Sequence, residues 1–197
     1  MNMRALAGTL PSAYEYGGRV YEMQTDFREW IKFELLFADQ DIIMEDKLRR
    51  LEEIIFPVIP YDPGLWDFIK WFYYCGKVPA ESEKAADKKS PGKKQSAVYS
   101  FEYDFEYIYA AFMELYGIDL VDIPYLHWWK FRALFRSLHD CMFSEIVGYR
   151  SEKITSKTPE YRKEFLKKMK KKYALPRSLS EQQNIDELKR IKEKMGY

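Results

Sequence analysis

Apolar side chains along this chain recur mostly at three- and four-residue spacing, the period of helices buried along one stripe. Phe27, Trp30, Ile31 and Leu35 predict a helix running from a Thr25 cap to about residue 37, with Glu29 near its positive end. Leu48, Leu51 and Ile55 predict a second over residues 44–56, stopped by Pro57, on which Lys47, Arg49, Arg50, Glu52 and Glu53 read as a solvated face. Asp62-Pro63-Gly64 opens a third, over residues 65–74, with a stripe of Trp66, Ile69, Phe72 and Tyr73. Only the start breaks that period: alternating segments at 13–16 and 19–23 flank Gly17-Gly18, two residues that accept positive φ, and predict a short β-hairpin.

The densest pattern lies at residues 119–138, DLVDIPYLHWWKFRALFRSL, and the chain reads as organised around it. Pro124 sets a helical φ and lacks the N–H that a first turn leaves unpaired, so the spacing predicts a helix from Pro124 with Asp119 and Asp122 at its positive end. His127 or Trp128, Phe131, Leu134 or Phe135 and Leu138 fall on one face and predict core. Trp129 and Ala133 lie off that stripe among Lys130, Arg132 and Arg136, which makes Trp129, Arg132 and Arg136 a candidate partner surface. The competing reading packs Trp129 under a neighbouring helix and pairs the arginines with the acids at 102–106.

Residues 100–116 alternate like a strand and also recur like a helix; their length, Ala110-Ala111 and the stop at Gly117 favour helix. A short helix is expected over 143–149, capped by Asp140 or Ser144, and a basic one from Thr158-Pro159-Glu160 to about Tyr173, with Tyr161, Phe165 and Met169 as its stripe. After Pro176, residues 180–195 form a final amphipathic pattern of Ile185, Leu188, Ile191 and Met195. Residues 79–97 hold no large apolar side chain and read as a flexible loop. The expected fold is mainly α: a single-core helical bundle over residues 1–176 with a short N-terminal β-hairpin, then a basic C-terminal helical extension whose last element, 177–197, is an amphipathic helix that invites self-association.

Sixteen Tyr, 13 Phe and 5 Trp make the core aromatic, whereas a net charge of +1 says little about partners until it is divided along the chain. Residues 1–80 carry −4 and residues 98–149 carry −5, against 15 Lys and Arg over 7 Asp and Glu, a net +8, at 150–197. Lys167, Lys168, Lys170, Lys171 and Lys172 form a candidate basic surface. It has no helix-turn-helix, zinc-finger or stacking-sheet signature around it, so an acidic protein partner or plain solvation is preferred over nucleic acid. Cys75 and Cys141 match no metal or redox spacing, and on a continuous helix His127 and His139 lie roughly 18 Å apart. No phosphate loop, nucleophile elbow or HExxH appears, so no catalytic residue, cofactor or metal is expected, and the protein reads as a non-enzyme. No run approaches the length of a membrane-spanning helix, which implies a soluble cytosolic chain.

Three stretches carry a family resemblance: YEMQTDFREW at 21–30, FEYDFEYIYAAFMELYGIDL at 101–120 and IPYLHWWKFRALFRSL at 123–138, joined by GYRS at 148–151 and YALP ending at Pro176. Together they resemble the bacteriophage gene-product-fifteen family, small proteins encoded in the tail-morphogenesis region of long-tailed phages and prophages of Gram-positive bacteria. The resemblance implies a mostly helical tail-assembly chaperone in the host bacterial cytoplasm, without catalytic residues or cofactor, that holds the tape-measure protein and recruits tail-tube subunits. The alternatives are a nucleic-acid-associated phage protein acting through residues 150–197 and a structural subunit retained in the tail.

Overall fold

The computed structural model describes residues 8–39, 41–58, 62–77 and 98–176, less the side chains at 52 and 53. Among them run strands β1 (Ala13–Tyr16) and β2 (Arg19–Glu22), then helices α1 (Phe27–Ala38), α2 (Met44–Ile55), α3 (Leu65–Tyr73), α4 (Phe105–Tyr116), α5 (Trp128–Arg136), α6 (Met142–Ser151) and α7 (Glu160–Lys172). The fold is mainly helical with a two-stranded antiparallel hairpin at its start, as the periodicity predicts. The expected loop at 79–97 and the final helix at 180–195 lie outside the described residues. The chain divides into two compact units, one from Met1–Glu34, Leu48–Ser96 and Asp119–Ser137, the other from Leu35–Lys47, Ala97–Ile118 and Leu138–Tyr197.

The first unit is built of rings. Tyr14 faces Tyr21 across the hairpin, whose turn places Gly17 and Gly18 at φ 57° and 74°. Tyr14 also lies 4.6 Å from the Phe68 ring of α3 and donates its hydroxyl to Asp62, which pushes the phenol up to about 12. In the interior Trp30 of α1, Phe72 of α3, and Trp128 and Phe131 of α5 are fully buried. Their centroids are close, with Trp30–Phe72 at 4.6 Å, Phe27–Phe131 at 4.7 Å and Trp128–Phe131 at 5.8 Å. Each buried indole N–H finds a carbonyl, Trp30 on Gln24 at 2.8 Å and Trp128 on Tyr73 at 3.0 Å, so the rings carry no orphaned donor.

Two expectations about this unit are corrected. Asp26, not Thr25, caps α1, its carboxylate accepting from Arg28 N–H at 3.0 Å, while the Thr25 hydroxyl lies 2.7 Å from that of Tyr125. The organising helix begins at Trp128 rather than Pro124. Residues 125–127 are held against the segment before α1: Phe27 N–H donates to Leu126 O at 2.9 Å, Trp128 N–H to Thr25 O at 2.7 Å, and Leu126 N–H to the Asp26 carboxylate at 3.1 Å. Arg28 adds bonds to the carbonyls of Leu120 (3.0 Å) and Ile123 (2.7 Å). These contacts outweigh the local helix signal of Pro124.

In the second unit α6 packs against both α4 and α7. Its centre holds a charge pair: Asp104, 1% exposed, takes a two-pronged contact from Arg150 at 2.6 and 2.8 Å and accepts Ser100 N–H at 2.9 Å. Arg150 also donates to Tyr173 O at 2.6 Å and Val98 O at 3.2 Å, tying the chain before α4 and the end of α7 to α6. Lys47 is likewise not solvated but buried, its ammonium on the carbonyls of Phe37 and Asp39 at the negative end of α1, and Leu48 turns outward instead. Cys141 precedes α6 with Ser144 Oγ accepting its N–H at 3.2 Å, so Ser144 serves the cap from inside the helix and Asp140, at φ 48°, does not. In α7 the inward residue is Leu166, fully buried, whereas Tyr161 is 76% exposed and Phe165 only partly covered.

Candidate partner surface

The side chains of α5 divide sharply. His127 precedes the helix and its Nδ1 accepts Trp129 N–H at 3.0 Å, leaving Nε2–H to donate to Pro11 O at 3.0 Å. Burial lowers the pKa of this imidazole more than the bond to Pro11 O raises it, and the nearby Lys130 lowers it too, so the neutral form that the cap requires is the form favoured. Trp129 is half-buried: its indole N–H donates to Phe72 O at 2.8 Å, and its ring sits 5.3 Å from Trp71. Gly76, at φ 76°, lets the chain after α3 pass beneath that ring, since a Cβ there would meet it at 3.2 Å.

Of the three residues predicted for a partner, Arg132 is the one turned inward. It is 9% exposed, with its guanidinium 5.2 Å over Trp128, 5.8 Å over Tyr73 and 5.9 Å over Phe135. Arg136 is exposed, as are Lys130 and Ala133. Burial pushes the Cys75 thiol up while Arg136, Arg132 and Lys77 pull it down, which puts their charges beside the end of α3. The surface there is a cationic rim of Lys77, Lys130 and Arg136 around the half-covered Trp129 and the exposed Tyr74.

The basic surface of α7 divides in the same way. Lys167, Lys168 and Lys171 are exposed, whereas Lys170 turns in to donate to Arg150 O at 2.7 Å. Lys172 lies 4.9 Å over the Tyr173 ring, and its hydrogen bond to Tyr173 raises its pKa. Arg162 pairs with Glu152, which holds that carboxyl below its usual range. It also covers Phe165, whose ring meets Tyr149 edge-on at 5.7 Å, and Tyr149 stacks on Tyr173 at 6.2 Å. Stacking within the chain therefore occupies the rings nearest the lysines. The buried Leu166 and Tyr173 and the half-buried Met169 have helical spacing, but the predicted stripe of Tyr161, Phe165 and Met169 has it too, so the period alone does not choose between them.

Among the described residues no group of three or more His, Cys, Asp and Glu could hold a metal ion, and no helix is long and apolar enough to cross a membrane. What this helical fold displays is charged and aromatic surface. The family model for the Bacteriophage Gp15 protein matches residues 6–175, both units included, and the chain belongs to that family. It is a phage protein by that membership. No curated protein and no solved structure matches it.

Proposed function

We propose that this chain is a tail-assembly chaperone of the phage, which holds the tape-measure protein and recruits tail-tube subunits in the host cytoplasm. The observation that carries the reading is the membership in the Bacteriophage Gp15 family over residues 6–175. Its surface chemistry is compatible with that task. A long helical client is held through repeated weak contacts, each pairing an apolar anchor with charged margins. The rim of Lys77, Lys130 and Arg136 around Trp129 and Tyr74 has that composition and would take an acidic, apolar-faced helix of the client. Arg132 has a positioning role here, since its guanidinium lies on the rings of Trp128, Tyr73 and Phe135 and supports the helix that displays Arg136.

The test is a pull-down from phage-producing cells with the full chain as bait. Lys130→Glu with Arg136→Glu changes two exposed side chains, so the melting temperature should hold while tape-measure protein in the eluate falls at least tenfold. Full recovery of the tape-measure protein by that variant would move the client site elsewhere. An eluate of wild type that contains nucleic acid and no tail protein would overturn the chaperone reading itself.

A further inference from the structure

Two helices of the second unit turn faces of opposite character to solvent. On α4 and the turn before it, Tyr103, Phe105 (47% exposed) and Met113 (41%) are exposed together with Glu102, Glu106 and Glu114. No Lys or Arg occurs anywhere from residue 98 to 118. On α7, Tyr161 and Phe165 are exposed toward its start, and Lys167, Lys168 and Lys171 toward its end. Each face joins apolar side chains to charges of one dominant sign, and the acids of α7, Glu160 and Glu164, stand in its first half.

We infer that the outward face of α7 in one copy of this chain docks on the outward face of α4 in a second copy. The two helices match in length, at 12 and 13 residues. Run antiparallel, they set Lys168 and Lys171 beside Glu102 and Glu106, and Tyr161 and Phe165 beside Met113. That orientation also opposes the helix dipoles favourably. Because the two faces differ, the contact is head-to-tail. Each copy carries both faces, so two copies that satisfy both contacts form a reciprocal pair, and otherwise the unused α4 at one end and the unused α7 at the other extend the assembly into a ring or a row. Charge complementarity fixes the choice of occupant: the acidic face calls for a cationic helix of similar length, and α7 is one.

The contact is independent of client capture, and it is tested on the purified full chain by sedimentation and light scattering. Wild type should grow in mass with concentration and lose mass as salt is raised. Glu102→Lys with Glu106→Lys reverses one face, and Lys168→Glu with Lys171→Glu reverses the other; each variant alone should associate at least tenfold more weakly. Mixing the two should restore assembly, since the reversed α4 of one then meets the reversed α7 of the other, and their remaining wild-type faces also match. Restoration on mixing excludes misfolding as the cause of the loss. A wild type that stays monomeric throughout the micromolar range overturns the inference, as does assembly that survives both reversals. Assembly that is lost only when residues 178–197 are deleted assigns it to that segment and overturns this contact.

Discussion

The two units of this chain solve the same problem with different materials. In the first, Trp30, Phe72, Trp128 and Phe131 bury their full surface, the indole N–H groups of Trp30 and Trp128 donate to nearby carbonyls, and the buried His127 ring is held by Trp129 N–H and Pro11 O. In the second, the smaller apolar set around Phe112, Ile146 and Leu166 surrounds a buried carboxylate and guanidinium. Ring packing is non-directional at the level of whole side chains and tolerates a change of shape. A buried ion pair tolerates very little, because removing one partner strands the other charge away from water. The lesson is that the two units differ in how steeply a substitution should cost stability.

The largest expected effect tests that contrast at its centre. Arg150→Ala leaves the buried Asp104 carboxylate without its counter-charge, and the carbonyls of Tyr173 and Val98 without the guanidinium, and should cost about 3–5 kcal/mol of folding free energy by urea denaturation. Arg150→Lys should cost about 3 kcal/mol, since one ammonium cannot reproduce the two-pronged contact. Asp104→Leu combined with Arg150→Met should recover only about 1–2 kcal/mol of the Arg150→Ala loss, because the freed carbonyls and Ser100 N–H stay unpaired. A double variant as stable as wild type would show that the pair contributes no more than an apolar filling.

Phe131→Leu is the matching change in the ring-built unit. It keeps the site apolar and loses the 4.7 Å stack on Phe27, so it should cost about 1–1.5 kcal/mol by the same denaturation, half the effect of Arg150→Lys or less. If Phe131→Leu proves the costlier of the two, the contrast between the units is wrong.

These differences set what could be read from the residues alone. The stripe of Trp128, Phe131 and Phe135 was legible, because burial of a helix writes its period into the sequence. The start of that helix was not, because the N–H groups of Leu126 and Trp128 are taken by Asp26 and Thr25, and nothing local to Pro124 signals a partner so far along the chain. Asp104 read as one acid of a helix start among three, and its guanidinium partner stood in a motif noticed only as GYRS. Lys47 and Arg162 share a further difficulty: a long cationic side chain can lie along a buried face and still place its charge on an acceptor, so polarity alone misassigns the side of the helix. For the candidate surfaces, the sequence showed which cations cluster but not which are engaged. Arg132 and Lys170 are held within the chain, whereas Arg136, Lys167, Lys168 and Lys171 are exposed.

The smallest expected effect sharpens the comparison from the side of pH. The His127 ring in the first unit accepts Trp129 N–H through Nδ1, and protonation of that nitrogen would abolish the cap. Lys130 opposes a positive imidazole from α5, while Asp26, bridged to it, is already paired with Arg28 at 3.2 Å and offers no free counter-charge. Burial of the ring is the largest cause, and with Lys130 it outweighs the bond to Pro11 O that favours the charged form, so the folded-state pKa lies below the ordinary 6.5. Above 6.5 both folded and unfolded chains hold a neutral ring and the contribution is fully present. Below it the unfolded chain takes up a proton that the folded chain resists, so stability falls as pH drops toward the folded pKa. His127→Asn keeps an acceptor at the cap and removes the titration, whereas His127→Ala loses the cap as well and should cost about 1 kcal/mol at neutral pH. Melting temperatures measured from about pH 7 to about pH 5 should decline less steeply in His127→Asn than in wild type. Identical slopes in the two proteins would mean that the ring does not hold the neutral cap described for it.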